Sequence, residues 1–214
     1  MNPMPAARFQ AVIDRIDQLN REDPTRETVQ GVAHPRELLY AQRLTEWVLR
    51  LNPQASEALR IAARGQHVQR WTIPRERYPR TRAGYLRWRE TLKAFHAKTV
   101  GELMREAGYP ASMIERVQVM MSKRRLADDS ETQTLEDALC LVFLETQFAD
   151  LRRKTPETTM LEVLRKTWQK MSEPARAIAL QLPLGQQERA LLERARAAAA
   201  DDGDTSIEKR PLQN

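Results

Sequence analysis

The stretch Leu135–Phe148, LEDALCLVFLETQF, constrains the fold most. Its apolar residues recur nearly all round a helix rather than along one stripe. A helix of that kind is buried on every side, so the chain must supply other elements to surround it. Those elements are not strands. The chain has seven Gly among 214 residues and few runs of Val, Ile or Thr, while Leu, Ala, Arg, Glu and Gln dominate. These residues favour helices. The expected class is all-α, a single-domain bundle of about nine or ten helices over residues 1–200. Residues 201–214 read as a disordered tail.

Helical periodicity supplies the surroundings. Phe9, Val12, Ile13, Ile16 and Leu19 form one stripe over about Pro5–Asn20. Asp23-Pro24 ends it, residues 24–34 read as a polar loop, and no credible strand pair is visible. Pro35 suits the first position of a second helix running to Leu51, with Leu38, Leu44, Trp47, Val48 and Leu51 inward. Asn52-Pro53 breaks the chain. A third helix, about Gln54–Arg70, carries Ala55, Ala58, Leu59, Ala62 and Ala63 on a narrow face that neighbours can approach closely. An Arg/Pro segment to about Arg80 precedes a fourth helix with Tyr85, Trp88, Leu92 and Phe95 on one face. Thr99 with Glu102, and Ser112 with Glu115, read as capping boxes that open two shorter helices. Ser122–Thr134 reads as a loop. Beyond the apolar helix come Pro156–Met171, a short helix capped by Ser172, and an outer helix over Gln186–Ala200.

Several functions are excluded at this level. The single cysteine, Cys140, rules out an internal disulfide framework, and its apolar setting points to burial rather than reactivity. No apolar run approaches the roughly 20 residues that span a bilayer. The opening MNPMPAARFQ is not a charged-then-apolar signal segment, so the expectation is a cytoplasmic protein with no membrane partner. There is no nucleophile elbow, no Gly-rich phosphate loop, no H-E-x-x-H and no calcium loop. No cofactor is expected.

The positive charge is local. Arg64–Arg89 holds eight Arg, no Lys and one acid, Glu76, for a net +7 against +6 for the whole chain. Tyr78, Tyr85, Trp71, Trp88 and His67 lie within it. A guanidinium grips phosphate or carboxylate bidentately and stacks on aromatic faces. Arg64, Arg70, Arg75, Tyr85 and Arg89 are therefore the candidate anion contacts, with His67 as donor or general acid, and Trp71 and Trp88 as walls or stacking surfaces. The apolar helix carries Glu136, Asp137 and Glu145. Acids on a surrounded helix need donors, so these three would orient the arginines or act as acid or base. The plainer reading is a structural Arg–carboxylate network with Trp in the core. His96, near the expected end of its helix, has the bland role of satisfying the last carbonyls.

Larger blocks of sequence carry a resemblance. They are DP at Asp23-Pro24, HPRELLYAQRLTEWVLRL from His34, AARGQHVQRWTIPRERYP from Ala62 and RAGYLRWRETLKAFHA from Arg82. TLEDALCLVFLE from Thr134 and LRKTWQKMS from Leu164 complete the set. Together they resemble the bacterial and fungal domain-of-unknown-function family numbered 4202, over about Phe9–Leu184. A more distant likeness is to HD-type metal phosphohydrolases, which use a His on one helix, a His-Asp pair on the next and a late Asp. In that alignment the first His falls on Tyr40, the His-Asp pair on Gln66-His67, and the late Asp on Asp137. The likeness implies an HD-like bundle in which His67 and Asp137 are the positions left to ligate a divalent metal. It also implies a helical cleft for a phosphorylated ligand, with Tyr40 and Gln66 among its contacts and Arg in place of the metal. The expected function is a site for a nucleotide or phosphorylated metabolite, with metal-independent hydrolase or lyase activity. The alternatives are RNA binding by Arg64–Arg89 and a catalytically inactive interaction module.

Overall fold

The computed structural model describes residues 5–122 and 129–204. The fold is all-α, as expected, with one small hairpin. Its elements are α1 (Pro5–Arg21), β1 (Arg26–Val29), β2 (Val32–Pro35), α2 (Arg36–Leu51), α3 (Glu57–Gly65), α4 (Arg82–Glu106) and α5 (Ala111–Met121). Then follow α6 (Ser130–Thr146), α7 (Phe148–Lys154), α8 (Glu157–Lys170), α9 (Glu173–Gln181) and α10 (Gln186–Asp204). Contacts group the chain into two compact units, residues 1–135 and 136–214, divided within α6.

In the first unit α3 is the hub, packing against α1, α2, α4 and α5. Its composition explains this. Ala58, Leu59, Ile61, Ala62, Ala63 and Gly65 are all buried, and the small residues let four neighbours come close. Ser56 caps the helix by accepting from the Leu59 N–H at 3.1 Å, and is itself held through its N–H and hydroxyl by Glu131. At the other end, a Cβ on Gly65 would lie 2.3 Å from Cγ2 of Val100 in α4. Overpacking of that kind costs about 1–3 kcal/mol, so glycine is what lets α3 press its C-terminus onto α4. The chain then turns sharply at Gln69, in the left-handed region at φ 51°. Asn20 Oδ1, from the end of α1, accepts from the Gln69 N–H at 3.1 Å and fixes the turn.

Residues 24–34, expected as loop, instead form an antiparallel hairpin pairing Arg26 with Pro35 and Val29 with Val32. Gln30 and Gly31 both take positive φ, 50° and 80°, the geometry that matches the twist of paired strands. The hairpin returns the chain to the start of α2. There Asp23 accepts from the N–H groups of Thr25 and Glu37, each at 2.9 Å, and the first turn of α2 is pinned. Along α2, Leu44, Trp47 and Val48 are buried as expected.

Four further expectations change. The third helix stops at Gly65 rather than near Arg70, because residues 66–69 bend around the Asn20 clamp. Thr99 opens no new helix. It lies inside α4, which is continuous over 25 residues. Burial of Val100, Leu103 and Met104 outweighs a local capping pattern. Likewise Ser112 is internal to α5, whose N-cap is Pro110. The loop expected over Ser122–Thr134 falls partly on 123–128, outside the described residues, and Ser130–Thr134 is already helix.

In the second unit α8 packs on α10, with α7 against both. Ala138, Cys140, Leu141, Val142 and Leu144 of α6 are buried, in keeping with a helix apolar nearly all round. Ser172 caps α9 as expected, accepting from the Ala175 N–H at 3.4 Å. Of the tail expected over 201–214, residues 201–204 close α10, and the remainder lies outside the described residues. Among the described residues no helix is long and apolar enough to cross a membrane.

Candidate functional site

The polar residues of the first unit that draw attention surround the turn after α3. Glu37, pinned in the first turn of α2, presents Oε2 at 3.2 Å from Nδ1 of His67. Tyr40, one turn further along α2, lies flat on the His67 ring, with centroids 4.1 Å apart and planes 9° from parallel. Burial works to raise the Glu37 carboxyl. The His67 hydrogen bond and the charges of His67, Arg70 and Arg36 outweigh it and hold the group below the usual carboxylate range. An ionised carboxylate only accepts, so His67 donates from Nδ1. A carboxylate-oriented imidazole exchanges protons at its other ring nitrogen.

His96 stands behind this pair, its ring 6.0 Å from that of His67. It lies in the middle of α4, buried at 4 % exposure, not at a helix end capping carbonyls. Its Nδ1 is 2.8 Å from the Val68 carbonyl oxygen. That oxygen can only accept, so Nδ1 carries the hydrogen and Nε2 the lone pair. Nε2 is buried and has no hydrogen-bond partner among the described residues. Burial, together with the charges of His67 and Arg70, pushes the imidazole down to about 3 against the opposing Val68 bond. His96 is therefore neutral at physiological pH. Nearby, Gln66 Oε1 and Asn20 Nδ2 are also buried without a partner, so three residues around one turn carry unsatisfied polar atoms.

Arg70 completes the cluster. Its guanidinium lies over the Trp88 ring at 4.7 Å, and burial lowers its pKa against the favourable charge of Glu37. No hydrogen-bond acceptor or ion pair engages it among the described residues. Trp88 is fixed by donating from Nε1 to the Ile73 carbonyl at 2.8 Å. The series continues outward. Arg75 lies 5.9 Å from Trp88 and 6.0 Å from Tyr85, and Arg89 lies 5.8 Å from Tyr85. Tyr85 is 42 % exposed.

The other candidates fare differently. Arg64 does not join the cluster: its Nε and a terminal nitrogen both donate to Asp17 at 2.6 Å in a fork-to-fork pair. Arg75 directs its donors at the carbonyls of Tyr78 and Pro79, both at 2.8 Å, and ties its own loop. Trp71 is half-buried in the short turn Arg70–Thr72. In the second unit, Asp137 accepts from the N–H and hydroxyl of Ser172 at 2.8 and 2.6 Å, so it anchors the α8–α9 junction. Glu136 is buried and faces Lys170 at 3.7 Å. Glu145, expected to be buried, is exposed.

Sequence reasoning missed Glu37 and undervalued His96. Glu37 sits three residues before Tyr40, on the same helix face, and that spacing was the available signal. His96 had no local signal, since its meaning comes from the Val68 carbonyl across the fold. Chemically, the arrangement offers an oriented imidazole, a half-buried cation and a neutral buried acceptor. Among the described residues no group of three or more His, Cys, Asp or Glu is placed to hold a metal ion.

Comparison with curated proteins and with solved structures gave no significant match. The sequence blocks that build α2, the Gly65–Arg70 turn and α4 do find a counterpart. The family model described as Domain of unknown function (DUF4202) matches residues 10–192, and the chain belongs to that family.

Proposed function

We propose that the first unit binds a small anionic ligand, a nucleotide or phosphorylated metabolite, against Arg70, and that Glu37–His67 serves it as an acid–base pair. One observation carries this reading. Arg70 is a half-buried cation whose donors meet no acceptor among the described residues, held on Trp88 and electrostatically coupled to Glu37 of the Glu37–His67 pair. Its donors are left to solvent, and an incoming phosphate would take them in a bidentate contact. Tyr40 and His67 correspond to metal-ligand positions in HD-type phosphohydrolases, and their rings lie in contact. This supports an HD-like core in which Arg70 replaces metal as the electrophile and His67 donates or accepts the proton, a hydrolase or lyase without metal.

The test is turnover of phosphate esters and nucleotides in chelator, comparing wild type with His67→Ala. The expected result is turnover that survives chelation and falls by roughly 10²- to 10⁴-fold in the variant. Turnover that needs added metal, or that ignores His67→Ala, would remove the reading.

A further inference from the structure

The outer end of the Arg–aromatic series has features that a small-ligand site does not need. Tyr85 leaves 42 % of its surface in solvent, and its helical neighbour Leu86 leaves 51 %. Tyrosine exposed to that degree on a folded surface is common enough singly. Here it is ringed by cations. Arg75 and Arg89 lie 6.0 and 5.8 Å from its ring, and Arg82 stands one turn before it on the same face of α4. Arg77, Arg80 and Arg82 are exposed. The one acid in this segment is Glu76, and the next, Glu90, is held by Lys93 at 2.6 Å. The ring is also pre-positioned: Trp88 backs it at 5.9 Å and is locked to the Ile73 carbonyl.

We infer that Tyr85, with Arg82 and Arg89, forms a surface for single-stranded nucleic acid, one base stacking on the ring and the flanking phosphates meeting the guanidinium groups. The pieces match the chemistry of such strands. Aromatic faces accept any base, and a positive track follows the backbone. A duplex hides its base faces and would leave Tyr85 without a partner. An anionic membrane would satisfy the charge alone. A rigid, solvent-facing aromatic held among planar guanidiniums answers to flat bases joined by phosphates. The surface does not depend on the reading of Glu37–His67.

The test is fluorescence anisotropy of the full-length protein with labelled 12-nucleotide single-stranded RNA, the DNA of the same sequence, and an RNA hairpin duplex. Vesicles containing phosphatidylserine are assayed in parallel. Both single strands are expected to bind, in preference to the duplex and the vesicles. Tyr85→Ala should weaken strand binding roughly five- to 150-fold, the loss of one base stack, and Tyr85→Phe, which keeps the ring against Trp88, should bind as wild type. Arg82→Gln with Arg89→Gln should flatten the slope of log affinity against log salt by about 1.4, for two phosphates at about 0.7 each. Arg70→Gln should leave strand binding intact while removing any mononucleotide response, which separates this surface from the inner site. Equal binding of duplex, binding to vesicles alone, or indifference to Tyr85→Ala would overturn it.

Discussion

Arg64 and Arg70 lie six residues apart in one basic segment, and the fold treats them in opposite ways. Arg64 meets Asp17 with two parallel bonds of 2.6 Å, and both side chains are largely withdrawn from water. Every charge there has its opposite, and the pair fastens α3 to α1. Arg70 is half-buried, and it rests on an aromatic face with Glu37 acting on it only as a nearby charge. At the turn before it, His96, Gln66 and Asn20 carry buried atoms with no partner among the described residues. Residue type and burial are therefore poor guides to role within this segment. What separates a fastening from a site is whether the donors and acceptors of the cluster are satisfied within the protein.

That contrast can be broken by substitution. Arg64→Ala strands the Asp17 carboxylate in the interior and should cost about 3–5 kcal/mol, read as a lower midpoint in urea unfolding. The folded fraction should still respond to the anionic ligand. A loss under about 1 kcal/mol would mean the pair is a surface contact. The open cluster should show itself in acid. His96 takes a proton near 3 in the folded protein and near 6.5 when unfolded. Between those values the unfolded chain binds the extra proton, so stability falls as pH drops below about 6.5. The loss should reach about 2 kcal/mol by pH 5. Glu37, depressed below the ordinary value of 4.5, adds to this only at lower pH, where its stabilisation is lost. His96→Gln should therefore flatten the profile between pH 7 and 5, and an unchanged profile would show that His96 is not the group titrating. The smallest effect is expected at Arg70. Arg70→Gln gives up a half-exposed cation–aromatic contact worth about 0.5–1 kcal/mol and breaks no hydrogen bond to the described residues, so unfolding should shift by about 1 kcal/mol or less.

The sequence made the helices legible where burial follows period and where Pro and Ser punctuate. The stripes of α1 and α2, the break at Asn52-Pro53 and the cap at Ser172 were readable for that reason. The hairpin was not read. Its one marker is Gln30-Gly31 between Val29 and Val32, too short a pattern to stand out in a helical chain. The continuity of α4 was hidden too, since Thr99–Glu102 carries a true capping pattern that loses to the packing of Val100 on Gly65. At the site, His67, Arg70, Trp88 and Tyr85 were named from residue type and spacing, and Tyr40 from the resemblance to HD-type phosphohydrolases. The engagement of Arg64 by Asp17 depends on contact between residues 47 positions apart, which local pattern does not encode. Glu37 joins His67 across 30 positions, and its place one turn before Tyr40 was the local trace of it that was overlooked.

The measurement that bears most directly on the account is a thermal-shift comparison of chelator-treated wild type and Arg70→Gln against nucleoside mono-, di- and triphosphates and small phosphorylated metabolites. A ligand at 100 times its dissociation constant stabilises by about 2.7 kcal/mol. The account predicts that one ligand class raises the melting temperature of the wild type without metal, and that Arg70→Gln, folded and nearly as stable, does not respond. A wild type silent across the panel, or an Arg70→Gln variant that responds equally, would contradict it.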